Sequence, residues 1–371
     1  GHWEMKVSYK LEESLAIRVS ANSLKCVITE LFQKMGVPKD DAIVASEVIV
    51  MADLRGVDSH GVSNMLRVYL DRYNDGTQNP NPDWHITKEK KASANINGDR
   101  GLGIILAPKA MQIAIDKAKE NGVGVVTMFN SGHLGMAAYH AMLALPYDMI
   151  GMCMTATSPS VLPTFGRIPR LGTNPIAIAA PAKFCNAWVF DMATSVAPVN
   201  KIRNARRMGT MLPGGTIADK YGSPLMEPSQ VPDDFNLLPL GTNRDSGSHK
   251  GYGLAVAVDI LCSVLAGSDY GIVADRSNYR HFFAAYNIDA FSDVDVFKQN
   301  MDSFITDLKS TPPAPDCDNV LVAGDPEWQA LEDRSSNGIP LHAEVITWLQ
   351  ETCVKYEIKS DIEILNSGRQ I

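Results

Sequence analysis

The sequence predicts a mixed α/β protein with helical segments at both ends, and three observations carry that expectation. Apolar residues in the first 75 positions keep helical spacing, whereas short apolar runs between residues 92 and 190 have the length of strands. Helical spacing returns in the apolar stretch Gly251 to Ala266 and again around Leu341, Val345, Leu349 and Cys353. Strands and helices do not alternate regularly, so the βαβ repeat of a wholly parallel sheet is not expected.

Leu24, Val27, Ile28, Leu31, Phe32 and Met35 mark a first helix, stopped by Gly36 and Pro38. Asp40 is placed to cap a second, through Val44, Ala45, Val48, Ile49 and Ala52. A third follows Asp53-Leu54-Arg55-Gly56 and Val57-Asp58-Ser59-His60-Gly61, carries Met65, Leu66, Tyr69 and Leu70, and ends near Gly76. Asn79-Pro80-Asn81-Pro82 breaks the pattern and marks a boundary. Ala92, Ala94 and Ile96 alternate with polar residues as in a strand, and Asn97-Gly98 is a tight-turn signal. A helix from Pro108 to Lys119 closes at Asn121-Gly122. Val123 to Met128 reads as a buried strand, Met136 to Leu145 as a helix, and Met149 to Thr155 as a strand. Ile176 to Ala180 and Trp188 to Phe190 are short enough to be strands. Between Pro198 and Asn243, Pro and Gly abound and periodicity is weak. Lys250 opens the apolar helix, which is expected at the centre of the molecule. His281 to Ile288 is a strand, Val294 to Leu308 a helix, residues 311–315 a stiff Pro-rich spacer, and Val320 to Val322 a short strand.

The 371 residues, 45% hydrophobic and 20% charged, suit a globular protein of two domains or one large unit. The net charge of −8, with no basic cluster interleaved with aromatics, argues against nucleic acid as a partner. Six scattered cysteines contain no CxxC pair, so neither a zinc site nor a disulfide framework is expected. The longest apolar run, Gly251 to Gly267, has 17 residues and includes Asp259. That is short of the roughly 20 a membrane span needs. No cleavable leader is visible, and a cytoplasmic protein away from the membrane is the expectation.

Asn130-Ser131-Gly132-His133-Leu134-Gly135 lies where the Val123 strand gives way to a helix. An imidazole there, flanked by glycines and titrating near neutrality, suits proton transfer, although an ordinary turn histidine fits too. His60, in Ser59-His60-Gly61, has a similar setting. His140 would share a helix face with His133, but no third ligand is apparent, so no metal site is expected. Asp191-Met192-Ala193-Thr194-Ser195 at a strand end is either a binder of sugar hydroxyls or a turn. Ser248-His249-Lys250 is either a phosphate or carboxylate site at a helix start or an exposed loop lysine. Lys201, Arg203, Arg206 and Arg207 form a solvated face or hold an extra phosphate. None of the pairs Gly101/Gly103, Gly122/Gly124 and Gly251/Gly253 completes G-x-G-x-x-G, so a Rossmann fingerprint is absent. A hydrolase using Ser59 or Ser131 is a remote alternative, since neither serine sits in G-x-S-x-G.

Taken together the motifs resemble the malate/L-lactate dehydrogenase family, which is unrelated to Rossmann-type enzymes. Its relatives include sulfolactate, ureidoglycolate and cyclic-imine-reducing enzymes. The stretches 53–61, 131–135, Gly172-Thr-Asn-Pro through Pro181, 191–195, 249–254 and Asn337-Gly-Ile-Pro340 occur in family order. The resemblance implies a non-Rossmann nicotinamide-binding mixed sheet, residues 79–324, carrying cofactor and substrate. N-terminal helices (5–78) and C-terminal helices (325–371) would pack together, and the protein would be a homodimer. The implied reaction is hydride transfer between NAD or NADP and a small 2-hydroxy acid, malate first. Lactate, sulfolactate, ureidoglycolate or a cyclic imine are the alternatives. His133 would be the acid–base group. His60, Asp191, Met192, Ala193, Thr194, His249, Lys250, Gly324, Asp325, Pro326 and Glu327 would lie along the cofactor, with Ser158 a further candidate. Many members carry an arginine four residues after the Ser-His-Gly histidine, where this chain has Asn64. Arg67 is therefore expected to anchor the substrate carboxylate, with Ser59 assisting. Asp325 stands where a glutamate is more usual.

Overall fold

The computed structural model describes residues 11–365, so the expected outer segments are seen without residues 5–10 and 366–371. The helical N-terminal run forms α1 (Ala21–Lys34), α2 (Lys39–Leu54) and α3 (Arg67–Asn74). Ser20 caps α1 by accepting from the Ser23 N–H, and the stripe Leu24, Val27, Ile28, Leu31 and Phe32 is buried. A wide π-type turn, Val62–Leu66, leads into α3. Strand β1 (Ala16–Val19), too short to signal itself, pairs antiparallel with β11 (Ile339–His342) from Ala16↔His342 to Val19↔Ile339. Beside β11 run α9 (Asp325–Asn337) and α10 (Ala343–Lys355). Ile339, Leu341, Ile346 and Leu349 enter the same apolar cluster as α1 to α3, so the two ends of the chain share one core.

The middle of the chain builds a seven-stranded sheet in the order β2-β3-β4-β10-β5-β6-β7. These strands are β2 (His85–Lys90), β3 (Ser93–Gly101), β4 (Val123–Ser131), β5 (Met149–Ala156), β6 (Ile176–Ala180), β7 (Trp188–Met192) and β10 (Tyr279–Asn287). Only β3 and β4 are parallel neighbours, joined by the crossover helix α4 (Gly103–Asn121); the other ladders are antiparallel. Side chains along β10 alternate between the two faces. Phe283 and Ala285 pack with α4 and with α5 (Ala137–Met142). Phe282 and Ala284 pack with Val258 and Cys262 on the other face, from α7 (Ser248–Asp259) and the wide turn Ile260–Val264. Two glycines set how close the helices lie. A Cβ on Gly124 would come 1.9 Å from the Ala114 carbonyl oxygen of α4, and one on Gly151 equally close to Ala141 of α5.

Several expectations need correction. Asn97-Gly98 is not a hairpin turn: it lies inside β3, where the register with β4 breaks between Asn97 and Gly101. The reversal falls instead at Lys91-Ala92, after the fully exposed β2, whose lack of apolar alternation hid it. Val320–Val322 is loop. The Pro/Gly-rich stretch after Pro198 contains α6 (Val199–Met208) and two two-residue strands, β8 (Ile217–Ala218) and β9 (Asn236–Leu237). The apolar stretch is not enclosed: Leu254 of α7, Ile260 and Val264 of the wide turn and Leu265 after it are 40 to 58% exposed. The last helix before the C-terminal segment, α8 (Val294–Lys309), falls where the periodicity places it.

Candidate functional site

A cleft of about 840 Å³ runs between the sheet and the helical layer. His133 lines it from the turn between β4 and α5, where β4 leaves the sheet after Ser131. Gly135, at φ +74°, turns the chain so that its own N–H meets the His133 Nδ1 at 3.1 Å. The Tyr69 hydroxyl, from α3, lies 2.7 Å from the same nitrogen. A backbone N–H can only donate, so Nδ1 carries the lone pair and the neutral ring holds its proton on Nε2, an assignment made from these bonds. The His60 ring stacks on His133 with centroids 5.6 Å apart, and Tyr279 meets it edge-on at 5.7 Å. Burial pushes the His133 imidazole well below its ordinary range, and His60, Arg72, His281 and His140 push it the same way.

The segment bearing His60 is tied down from below. The Val62 N–H donates to Asp53 at 2.8 Å, and Arg334 of α9 pairs with Asp58 at 2.6 Å. Asp53 is fully buried, which pushes its carboxyl up to about 8. Ser59 Oγ lies 2.8 Å from His60 Nδ1. Burial likewise pushes His60 down, to about 4. Asn64, where an arginine was looked for, donates to the Asp58 carbonyl at 2.7 Å and so belongs to the support of this loop.

At the far end of the lining stand Asp191 to Ala193, Gly324, Pro326, Glu327 and Arg55. Asp191 accepts from the Ala138 N–H at 2.8 Å. The carboxylate is open to the cleft, yet the protein around it pushes it up to about 6, and Glu327 adds to that rise. Arg55, at 1% exposure, stacks on Trp328 at 4.5 Å, and its three guanidinium nitrogens have no hydrogen-bond partner among the described residues. Its charge feels Glu327 and Asp191. A buried guanidinium beside two carboxylates suits a group that both donates and accepts, such as a sugar hydroxyl.

The structure brings His133, His60, Ser59, Ser158, Asp191, Met192, Ala193, Gly324, Pro326 and Glu327 to one cleft. It does not bring the others. Arg67 is exposed, with its guanidinium 4.6 Å over the Trp348 ring of α10. Two residues along α3 turn a side chain about 200° from Tyr69, so Arg67 faces away when Tyr69 faces in. Thr194 is buried and donates to the Thr173 and Asn174 carbonyls at 3.1 Å. His249 and Lys250 are exposed in the first turn of α7, outside the lining. Asp325 turns away, accepting from the Val322 N–H and pairing with Lys309, both at 3.0 Å.

Residues not singled out by sequence reasoning also meet here. In the sequence Tyr69 reads as an apolar helix position, and only the fold brings its hydroxyl to His133. Arg72, three residues on and so on the same face of α3, influences both Tyr69 and His133. It lies 5.6 Å over the Tyr279 ring, and its buried Nη1 has no hydrogen-bond partner among the described residues.

The family model for malate/L-lactate dehydrogenases matches residues 19–350. The chain is 38% identical over 341 residues to the malate dehydrogenase of Pyrococcus horikoshii, covering 90% of this chain and 94% of that protein. Identity to the L-sulfolactate dehydrogenase of Methanocaldococcus jannaschii is 36% over 338 residues, covering 89% and 94%. The fold matches the crystal structure of malate dehydrogenase from Entamoeba histolytica with a TM-score of 0.88 at 31% identity, covering 92% of this chain and 99% of that one. The serine-hydrolase alternative finds no support among these relatives, and Ser131 spends its buried hydroxyl on the Gly101 carbonyl. Sheet order, cleft and relatives lead to one conclusion: this chain belongs to the malate/L-lactate dehydrogenase family.

Proposed function

We propose that this protein is a nicotinamide-dependent oxidoreductase that interconverts malate and oxaloacetate. The observation that carries the reading is His133: its Nδ1 is engaged by Gly135 and Tyr69, which leaves Nε2 for a substrate oxygen in the cleft. The residues present fit a dinucleotide. Asp191, Glu327 and the unpartnered Arg55 suit its sugar hydroxyls, and the Gly324 turn keeps the backbone close. When bound, the nicotinamide supplies or takes the hydride. In oxidation the neutral ring, with its proton on Nδ1 and donated to the Tyr69 oxygen, takes the alcohol proton at Nε2; in reduction the imidazolium so formed gives that Nε2 proton to the carbonyl oxygen and returns to the neutral ring. Tyr69 serves both tautomers, since its hydroxyl can donate to Nδ1 or accept from Nδ1–H. Arg72, which reaches the cleft only through Tyr279, on whose ring its guanidinium lies, replaces Arg67 as the source of positive charge for a substrate carboxylate. Malate is chosen first because the 38% identical relative is a malate dehydrogenase. Steady-state kinetics on malate, lactate and sulfolactate with both NAD and NADP test the reading. Turnover of none of them would overturn it.

The homodimer belongs to the same proposal. The exposed apolar residues of α7 and of the turn after it, Leu254, Ile260, Val264 and Leu265, are followed in the chain by Tyr270, Ile272 and Val273, which are 45 to 54% exposed. An exposed apolar run of this kind suits a second copy. Ile260→Asp with Val264→Asp is expected to convert the dimer to a monomer in light scattering after gel filtration. A wild-type chain that elutes as a monomer would sink the idea.

A further inference from the structure

The loop that carries His133 is held from behind by its carbonyls. Three consecutive carbonyls each accept one hydrogen bond. The Gly132 oxygen lies 3.0 Å from His281 Nε2, the His133 oxygen accepts from the Ile104 N–H of α4 at 3.2 Å, and the Leu134 oxygen lies 2.7 Å from His140 Nε2. A carbonyl only accepts, so both imidazoles carry their proton on Nε2. His281 is fixed further by the Thr155 hydroxyl, 2.8 Å from its Nδ1. Both rings are 0% exposed and pack against Phe283, at 6.4 Å for His140 and 6.1 Å for His281. They come from different elements: His281 from the central strand β10, His140 from α5.

We propose that His140 and His281 are positioning residues for the proton-transfer step, a pair of neutral imidazoles that clamp the carbonyls on either side of His133. This rests on the reading of His133 as the acid–base group. Neither residue lines the cleft, so neither acts on substrate directly. Their effect runs through the backbone. With Gly132 and Leu134 held, Gly135 is carried to the place where its N–H meets His133 Nδ1 at 3.1 Å. That contact decides which nitrogen faces the substrate, and a misplacement of about 1 Å in such a group can cost about 10²-fold. Burial keeps both clamps neutral, with His140 pushed down to about 4 and His281 to about 3, so each stays a single-tautomer donor through the neutral range. An apolar residue of the same size would fill the same space and leave a buried carbonyl unpaired. The chemistry of the ring, beyond its volume, is what the loop needs.

Phenylalanine and glutamine separate the two explanations. Glutamine sets an amide N–H close to the place of Nε2, whereas phenylalanine keeps ring volume without a donor. For His140→Phe and His281→Phe, kcat is expected to fall at least tenfold, with the Kd of NADH, read by fluorescence, within twofold of wild type. His140→Gln and His281→Gln should recover most of the loss. If a phenylalanine variant does not fold, Thr155→Val carries the test by removing only the hydroxyl behind His281, with a several-fold lower kcat expected. Folded variants with lower melting temperature but wild-type kcat would overturn the proposal and leave a purely structural role. So would glutamine variants that fall as far as the phenylalanine ones. His133→Ala is measured beside them. Full turnover there refutes the acid–base reading itself. Loss there with unchanged clamp variants refutes this inference alone.

Discussion

Replacing His133 by alanine is expected to lower kcat by about 10²–10⁴-fold, the usual contribution of a positioned acid–base group. NADH should bind within a few-fold of wild type, since the other cleft-lining residues stay in place. The split between kcat and cofactor affinity matters more than the size of the loss. An imidazole that only shaped the pocket would weaken binding and turnover together. The pH dependence adds a second check. Burial and the nearby His60 and Arg72 hold His133 well below the ordinary histidine range, so it stays neutral and able to accept a proton where a free imidazole is half charged. Malate oxidation should therefore show no acid limb near pH 6.5. A limb there, absent in the alanine variant, would show the ring titrating as though solvated and would contradict its burial.

How much of this was legible in the sequence depends on the range of the interaction that decides each feature. The stripe of α1, the run of β4 and the strand β10 were readable because one face or both are buried, and burial imprints apolar spacing. Strand β2 left no imprint because every residue in it is exposed. Asn97-Gly98 has hairpin chemistry yet sits at a register break beside a parallel partner that lies about 30 residues on. His133 stood out because glycine flanks and a strand–helix junction are local signals. Arg67 was misjudged for the converse reason: linear distance from Asn64 says nothing about which side of α3 faces the cleft. Tyr69, Arg72 and Arg55 became visible only when α2 and α3 were laid against the sheet, because their partners are about 60 to 270 residues away. The family motifs led to residues that line one cleft, and which other side chains meet them there needed the fold.

Asp53→Asn should change how stability depends on pH. Buried at the end of α2, Asp53 has its carboxyl raised from 3.8 to about 8, first by burial and then by Asp58, against the pull of the Val62 N–H and Arg334. The sign follows from proton counts. Between about pH 4 and pH 8 the folded chain keeps this proton and the unfolded chain has lost it, so stability falls as pH rises. The dependence is flat below the unfolded value and again above the folded one. One pKa unit corresponds to about 1.4 kcal/mol, which sets a ceiling of roughly 6 kcal/mol across the window. Asparagine can still accept from Val62 but does not titrate. Its own amide hydrogens bring a pH-independent offset of about 1–3 kcal/mol if they find no acceptor. The diagnostic quantity is therefore the slope: urea unfolding at pH 5, 6.5 and 8 should show the variant gaining on wild type at each step. Parallel curves would mean that Asp53 is ionised in the fold, paired more closely with Arg334 than its burial implies. The cost is placed under the loop that bears His60 for a physical reason. The Gly61 backbone lies so close to this carboxyl that a Cβ there would sit 2.0 Å from its oxygen. A protonated acid fits against that backbone without demanding a counter-ion, and it holds His60 over His133 while doing so.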